Sequence, residues 1–303
     1  MLKYGLSINP HETIQKIVEK SMEMEKLSFD YVWVTDTSLK SDFYTVASII
    51  AEKTSNIRIG IGLLSPLLYT SSQIAKNIIM LTKQYGDRFE LCIGPGDRGQ
   101  LKRVGIQLSK VKRIPELLLR VEWEINVSFK QEKLEIPIWL GAQGPRMLRI
   151  AKFFHGVLLN YADLELIKWA VKEMDLPYSH SVQIGIYAPS YVYTCKDKQL
   201  YDLLKLSSIT VALGTVKSVL ERIGLYEEIL KIKRELRSGV ALKDIVNIVP
   251  EEVIEKFSIH MPSNTLKNYL LKLKEIGIKH VVFGYPQNIS KETIRTLMLS
   301  ISS

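Results

Sequence analysis

Apolar and polar positions follow two repeating patterns along this chain, almost from end to end. Short runs rich in β-branched and aromatic residues predict strands, and recurrence of apolar residues at every third or fourth position predicts helices between them. The stretch 13–27 shows the helical spacing, with apolar residues at Ile14, Ile17, Val18, Met22 and Leu27. The predicted strands are 3–8, 31–35, 58–63, 89–93, 137–140, 157–159, 183–193 and 280–283.

Predicted helices separate these strands from one another. A strand followed each time by a helix is typical of the (β/α)8 TIM barrel. A doubly wound open sheet is the alternative, and it usually carries a glycine-rich turn directly after its first strand. The first strand here continues into residues 7–11, which contain no glycine. The sequence therefore favours an α/β fold of the barrel type.

Two stretches depart from this alternation. A helical region from about residue 197 to residue 255 is interrupted by Gly214, Gly224 and Gly239, and we expect it to be a helical insertion before the last strand–helix unit. Alternating polar and apolar residues over 127–134 predict a small accessory strand or hairpin arm. A length of 303 residues suits one α/β barrel, so residues 1–303 are expected to form a single domain.

Composition and charge narrow the possible partners. The net charge is +9, but lysines and arginines are scattered over predicted helix surfaces, as at 231–235. Nucleic-acid binding is therefore not expected, whereas an anionic small molecule fits. No apolar run approaches the roughly 20 residues that a membrane span needs, and no signal peptide is expected. Cys92 and Cys195 have no metal or redox spacing, so we expect no metal site and a cytoplasmic location.

A turn after the strand 137–140 has the chemistry of a phosphate cradle. Gln143 and Gly144 lead into a helix with Pro145 at its first position, where proline loses no helical hydrogen bond. Free backbone N–H groups at such a helix start favour an anion. The alternative, that this cap only serves packing, stays open.

Polar residues cluster at the carboxyl ends of the predicted strands, where barrel enzymes place their chemistry. Asp97 follows the glycine-rich turn 94–96, and a carboxylate in that position indicates catalysis. For Asp36, helix capping or a salt bridge is as plausible as function. The other residues at these ends are Ser7, Asn9, Thr35, Ser65, Gln143, Asn160, Tyr193 and Tyr285.

The loops 94–97 (GPGD) and 141–145 (GAQGP) occur together with the segments 3–5, 31–36, 137–140, 158–160 and 257–259. This combination resembles the bacterial-luciferase-like superfamily. Within it, the chain is most similar to the coenzyme F420-dependent methylenetetrahydromethanopterin reductases of archaea. The pair of glycine loops is specific, although neither loop is specific alone.

The resemblance implies a barrel that binds coenzyme F420, an 8-hydroxy-5-deazaflavin that carries hydride and has a negatively charged tail. It places the tail phosphate at Gln143, Gly144, Arg146 and Met147. It places the ring at Asp36, Ser65, Pro95 and Gly96. It also implies a bulge in the third strand with a non-proline cis peptide bond between Gly62 and Leu63. We count both of these residues among the cofactor-binding residues.

The implied reaction adds hydride to the methylene bridge of a tetrahydropterin C1 carrier, and the departing nitrogen needs a proton. Asp97 is the candidate acid, provided that burial raises its pKa toward neutrality. Ser7 stands where the reductases have a glutamate, and Thr37 stands where many relatives have a histidine. A serine hydroxyl can position a substrate but cannot replace a carboxylate as an acid near neutral pH.

Three alternatives therefore stay open beside the reductase. The chain could use F420 on another substrate, use FMN as a luciferase-like monooxygenase, or bind cofactor without turnover. The resemblance further implies a homodimer or a higher homo-oligomer.

Overall fold

Eight parallel strands of the computed structural model close into a barrel, in the order β1-β2-β3-β4-β5-β6-β7-β9, with β9 paired to β1. The structure describes residues 1–8, 12–36, 42–177 and 180–302. Because the ring closes, the barrel prediction is confirmed, since an open doubly wound sheet would leave two unpaired edges. The strands are β1 (Lys3–Ile8), β2 (Tyr31–Val34), β3 (Arg58–Leu64), β4 (Phe89–Ile93), β5 (Ile138–Ala142), β6 (Gly156–Leu159), β7 (Gln183–Tyr193), β8 (Ile259–Pro262) and β9 (His280–Gly284).

Helices surround the barrel, and many begin with an oxygen-bearing cap that accepts a backbone N–H. No helix in the described ranges is both long enough and apolar enough to cross a membrane. The helices are α1 (Ile14–Lys26), α2 (Phe43–Lys53), α3 (Ser71–Tyr85), α4 (Arg98–Arg103), α5 (Ile114–Gln131), α6 (Pro145–Leu148), α7 (Leu164–Glu173), α8 (Lys198–Gly214), α9 (Lys217–Arg222), α10 (Tyr226–Arg237), α11 (Glu251–Phe257), α12 (Ser263–Ile276) and α13 (Lys291–Ser302). Short 3-10 turns occupy Leu108–Lys110, Ala151–Phe153 and Leu242–Ile248.

The predicted helical insertion is present as α8 to α11, between β7 and β8. It ends in a strand that the sequence did not predict. β8 pairs with the outer half of β7, residues 190–193, whereas residues 185–189 of β7 pair with β9 inside the barrel. Four residues ending in a proline are too short a run to stand out from the flanking helices.

The predicted accessory strand over 127–134 is wrong, because α5 continues through residue 131. Its buried residues Val121, Ile125 and Phe129 recur every four positions and face the core. That helical burial outweighs the short alternation of polar and apolar residues that suggested a strand.

Two tryptophans fill the barrel interior. Trp33 leaves no room for a side chain at Gly60, and Trp139 likewise occupies the space beside Gly156, where an added Cβ would lie 2.5 Å from the indole. Inward-facing residues from several strands complete this interior cluster, which consists of Tyr31, Trp33, Cys92, Trp139, Leu158 and Val282. The interior is therefore packed rather than open, as in other barrels.

Glu90 accepts several hydrogen bonds at the amino-terminal end of the barrel interior. Its carboxylate accepts hydrogen bonds from the Tyr31 hydroxyl at 2.7 Å, Arg58 Nε at 3.0 Å and Trp139 Nε1 at 2.7 Å. His280 Nε2 accepts the Trp33 indole N–H at 2.9 Å, and burial lowers the pKa of His280 to about 3. This end of the barrel is thus closed by a buried polar network, which leaves the opposite end for chemistry.

Candidate active site

The carboxyl ends of the strands bring most of the predicted residues to one mouth of the barrel. Parallel register aligns Ile8 with Val34 and Val34 with Ile61, and it aligns Ile93 with both Leu64 and Leu140. Loops that follow neighbouring strands at the same level must lie side by side. The predicted site residues Asn9 and Thr37 lie outside the described residues.

The third strand carries the predicted bulge. The peptide bond between Gly62 and Leu63 is cis, as the resemblance implied, and the β3–β4 register shifts between Ile61 and Leu64. The Leu63 side chain lies across Gly94 and Gly141, and a Cβ added at Gly94 would come within 2.6 Å of Leu63 Cδ1. Leu63 is itself partly exposed. The mouth therefore contains an apolar platform that is formed by Leu63 and depends on these two glycines.

Ser65 joins the loops after β3 and β4. Its Oγ donates to the Pro95 carbonyl at 2.9 Å, and it accepts the backbone N–H of Leu67 at 3.3 Å. Gly96 has a φ of +95°, and a Cβ there would lie 2.7 Å from both Ser65 Cβ and Oγ. The predicted ring-binding residues Ser65, Pro95 and Gly96 thus form one tightly packed corner beside the platform.

Asp36 is buried two residues after the end of β2. Its Oδ1 accepts the Tyr69 hydroxyl at 3.2 Å, and its backbone carbonyl accepts Gln100 Nε2 at 3.1 Å. Burial, reinforced by the carboxyl of Asp36, raises the pKa of Tyr69, so that phenol stays protonated and can donate. The Asp36 carboxyl therefore joins the segment after β2 to the one after β3, and the Asp36 backbone carbonyl joins it to Gln100 on α4.

Asp97 occupies the mouth but is exposed. It is the N-cap of α4, and its Oδ1 accepts the backbone N–H of Gln100 at 2.8 Å. The burial that the proposed acid role requires does not come from the surrounding protein. It would have to come from ligands that cover Asp97 when they bind.

The β5–α6 turn has a packing explanation as well as the predicted ligand role. Gly144 is the N-cap of α6, and a Cβ there would lie 2.8 Å from Cγ2 of Val216, just before α9. The Gly144 carbonyl accepts the N–H groups of Met147 and Leu148, both at 3.0 Å. Met147 therefore uses its N–H within the turn, and the exposed side chain of Arg146 becomes the stronger candidate for an anion.

Sequence reasoning missed two residues at the mouth. Tyr187 lies in the middle of β7, and its hydroxyl is 2.7 Å from Thr35 Oγ1. Asn288 follows β9, is 1% exposed, and donates from Nδ2 to the Ser7 carbonyl at 2.6 Å and to Ser7 Oγ at 3.3 Å. The alternation along β7 could have identified Tyr187 as an inward-facing polar residue.

Tyr193, by contrast, does not reach the mouth. The predicted strand ends at residue 193, but β7 leaves the barrel after residue 189 and pairs with β8 from there on. Tyr193 packs beside Tyr191 and His260 under the helical insertion, with ring centroids 5.1 and 5.4 Å away. The end of a strand and the end of its barrel pairing differ here by four residues.

Comparisons with known proteins show what this chain is similar to. A family model described as luciferase-like monooxygenase matches residues 3–280. The chain is 28% identical to 5,10-methylenetetrahydromethanopterin reductase of Archaeoglobus fulgidus over 94% of each chain, and 25% identical to that of Methanolobus tindarius over 96% of each.

Solved structures also share the fold. The coenzyme F420 dependent tetrahydromethanopterin reductase from Methanopyrus kandleri superposes with a TM-score of 0.84 at 22% identity, over 99% of this chain and 97% of that one. An F420-dependent secondary alcohol dehydrogenase in complex with an F420-acetone adduct gives 0.72 at 14% identity, over 98% and 99%.

Proposed function

This chain belongs to the luciferase-like monooxygenase family, and we propose that it is a coenzyme F420-dependent oxidoreductase acting on a methylene-tetrahydropterin. The observation that carries the proposal is the apolar platform of Leu63, with the Ser65–Gly96 corner directly beside it. The full-length similarity to curated methylenetetrahydromethanopterin reductases supports the choice of reaction.

The residues at the mouth fit a deazaflavin. A planar apolar ring needs a flat apolar surface with polar groups at its edge, and Leu63 with Ser65 and the Pro95 backbone offers these. The anionic tail needs positive charge. Burial lowers the pKa of Lys233 on α10, and the charges of Arg98 at the start of α4 and Arg237 at the end of α10 lower it further, so Lys233 lies within electrostatic range of both arginines. Together with Arg146, they would attract the tail.

When bound, the deazaflavin supplies a hydride, and the protein must supply a position and a proton. Leu63 would hold the ring plane, and Ser65 would keep the 94–97 loop against its edge. Asp97 would protonate the departing nitrogen of the substrate once bound ligands cover it. Ser7 cannot share that work, because a serine hydroxyl is too weak an acid to replace a carboxylic acid near neutral pH.

The Ser7–Asn288 contact also favours a second candidate, an F420-dependent oxidoreductase for another substrate. At the end of β1, the barrel mouth has the hydrogen-bonded hydroxyl of Ser7 rather than an ionisable group. An alcohol or a different imine that needs one acid would suit Asp97 alone. The FMN monooxygenase and the non-catalytic paralogue become outcomes of the test below.

The test is a titration of the purified protein with F420 and, in parallel, FMN, followed by fluorescence quenching. We expect binding of F420 and no binding of FMN. Leu63→Asp should abolish binding, whereas Leu271→Asp, the same change at an exposed position on α12, should not. Binding of FMN alone would place the chain among the flavin enzymes, and binding of neither would refute the cofactor proposal.

Turnover is then measured with methylene-tetrahydromethanopterin. Asp97→Asn keeps an N-cap for α4, because asparagine caps as well as aspartate, but it removes the acid. We expect kcat to fall by roughly 10²- to 10⁴-fold with F420 affinity unchanged. An unchanged kcat would show that Asp97 only caps its helix, and F420 binding without turnover would favour the other substrate or the non-catalytic paralogue.

We also propose that the enzyme works in the cytoplasm of an archaeon as a homodimer or higher homo-oligomer. The archaeal assignment is supported by the organisms of the curated relatives. Light scattering of the purified protein would test the oligomeric state.

A further inference from the structure

The segment between β6 and α7 supports the neighbouring turn that carries Gln143 and Arg146. Tyr161 lies two residues after the end of β6 and is fully buried. Its hydroxyl donates a hydrogen bond to the backbone carbonyl of Gln143 in the β5–α6 turn. Tyr161 must be the donor, because a carbonyl oxygen can only accept, and burial raises the pKa of Tyr161 so that the phenol keeps its proton. A side chain after one strand therefore fixes the backbone after the next.

Tyr161 is itself held in place by the end of the helical insertion. The backbone N–H groups of Ala162 and Asp163 both donate to the Lys256 carbonyl on α11, at 3.0 and 3.3 Å. The Lys256 ammonium also pairs with the Asp163 carboxylate at 3.2 Å. The Tyr161 ring packs beside Phe257, with ring centroids 6.5 Å apart. The Tyr161 hydroxyl is therefore attached to a well-fixed segment, as positioning of another group requires.

The β5–α6 turn has a second contact with the insertion, and it carries an unpaired cation. Gly144 is buried, and a Cβ added there would lie 2.8 Å from Val216 Cγ2. Arg146 is exposed and forms no ion pair within the part of the chain that the structure describes. Arg149 is also exposed, but it pairs with Glu173 at 2.6 Å. The turn thus presents a free guanidinium on a backbone that two separate contacts hold.

We propose that Tyr161 is a positioning residue for the anionic tail of the cofactor. By fixing the Gln143 carbonyl, it holds the turn in the conformation from which Arg146 meets the tail. A guanidinium on an ordered backbone binds an anion more tightly than one on a backbone that binding must first order, because less conformational entropy is lost. Tyr161 is fully buried, so it acts through the turn rather than by touching the tail. The inference rests on the proposed function, from which it takes the anionic tail at this turn.

The test separates the tail from the ring by comparing two ligands. Fluorescence quenching gives dissociation constants for F420 and for the same deazaflavin without its phosphate-bearing tail. Tyr161→Phe removes only the hydroxyl, and we expect it to raise the F420 dissociation constant about 5- to 10-fold, the effect of one hydrogen bond. The dissociation constant of the tail-free deazaflavin should stay unchanged. A purely structural role of Tyr161 would change both constants together or neither.

Matched variants control for the loss of a supporting hydroxyl and for the loss of a charge. Tyr269→Phe removes a hydroxyl that supports the same segment from α12, where it donates to the Ala162 carbonyl at 2.7 Å. This variant should leave both dissociation constants unchanged. Arg146→Ala should weaken F420 binding alone, whereas Arg149→Ala should not. In Arg146→Ala protein, Tyr161→Phe should have little further effect, because the two residues act as one unit.

The outcomes distinguish failure of the inference from failure of the proposed function. An unchanged F420 dissociation constant in folded Tyr161→Phe protein, or equal losses for both ligands, overturns the inference while F420 binding stands. An unchanged constant in Arg146→Ala protein overturns it as well. If wild-type protein binds FMN and not F420, the proposed function fails, and FMN compared with riboflavin then judges Tyr161 in the same way. If wild-type protein binds none of these ligands, both fail.

Discussion

The corner between Ser65 and Gly96 can be tested with a pair of matched substitutions. Gly96→Ala places a methyl group 2.7 Å from Ser65 Cβ and Oγ, at a backbone φ of +95°. Gly105→Ala places the same methyl group at a φ of +81°, where nothing lies within 4 Å. Both variants therefore have the free-energy cost of a left-handed backbone at a non-glycine residue, but only Gly96→Ala collides with a neighbouring side chain.

Their magnitudes follow from these two contributions. A non-glycine residue in the left-handed region costs roughly 1–2 kcal/mol, and this applies to both variants. The collision with Ser65 adds about 1–3 kcal/mol, typical of overpacking where the neighbour is fixed by its own hydrogen bonds. Gly96→Ala should therefore lower the free energy of unfolding by about 1–3 kcal/mol more than Gly105→Ala.

Urea unfolding followed by circular dichroism measures this difference, and F420 titration measures its consequence. If the corner supports the ring, Gly96→Ala should also weaken F420 binding by about 10-fold or more, because a shifted Ser65 releases the 94–97 loop. Gly105→Ala should bind as the wild-type protein does. Equal losses of stability in the two variants would refute the steric argument, and equal affinities would remove the corner from the binding site.

Three further predictions concern packing, the interior network and pH. Gly144→Ala should cost about 1–3 kcal/mol, and most of this cost should vanish in a Val216→Ala background, giving a coupling of at least about 1 kcal/mol in a double-mutant cycle; additive effects would contradict the packing explanation. Glu90→Gln should lower the free energy of unfolding by about 2 kcal/mol or more, since one amide oxygen cannot serve all its donors, whereas the exposed Glu132→Gln should change it by less than about 1 kcal/mol. The pKa of about 3 for His280 lies below its ordinary value, so below about pH 6.5 the unfolded chain binds a proton that the folded chain does not. Unfolding experiments at pH 7.5 and 5 should thus show a loss of about 2 kcal/mol that is missing in His280→Gln; an identical loss in the variant would assign the acid sensitivity elsewhere.

The barrel itself could be predicted from the sequence, because its signal is local. Each strand is a run of apolar residues, each helix has its own period, and neither requires knowledge of what packs against it. The errors fall where local pattern and tertiary packing disagree. Alternation over 127–134 suggested a strand, but Ile125 and Phe129 bury together on the helix α5. The β7 run continues past the barrel, so its last residue did not mark the mouth.

The predicted site residues divide in a similar way. Gly94, Gly96 and Gly141 stood out in the sequence as members of the two glycine loops, and the structure shows which side chains approach them, namely Leu63 and Ser65. Gly144 stood out as part of a predicted phosphate cradle, but its close neighbour is Val216 of the insertion. A glycine in the sequence indicates that space is restricted at its position, but it does not identify the group that occupies that space.

The polar residues at the mouth give no comparable signal in the sequence. Ser7 and Asn288 are 281 positions apart in sequence, and Thr35 and Tyr187 are 152 apart. Serine, threonine and asparagine near strand ends are common in turns, so nothing in a local window distinguishes residues that hydrogen-bond to each other across the mouth from residues that cap a loop. Barrel closure creates the connection, because it makes β9 and β1 neighbours and sets β7 beside them. These hydrogen-bonded pairs are therefore specified by topology, whereas the surface that would hold the ring is specified by residue size. Substitutions of Leu63, or of Gly94 and Gly141 on which its position depends, should therefore change whether a ring binds at all.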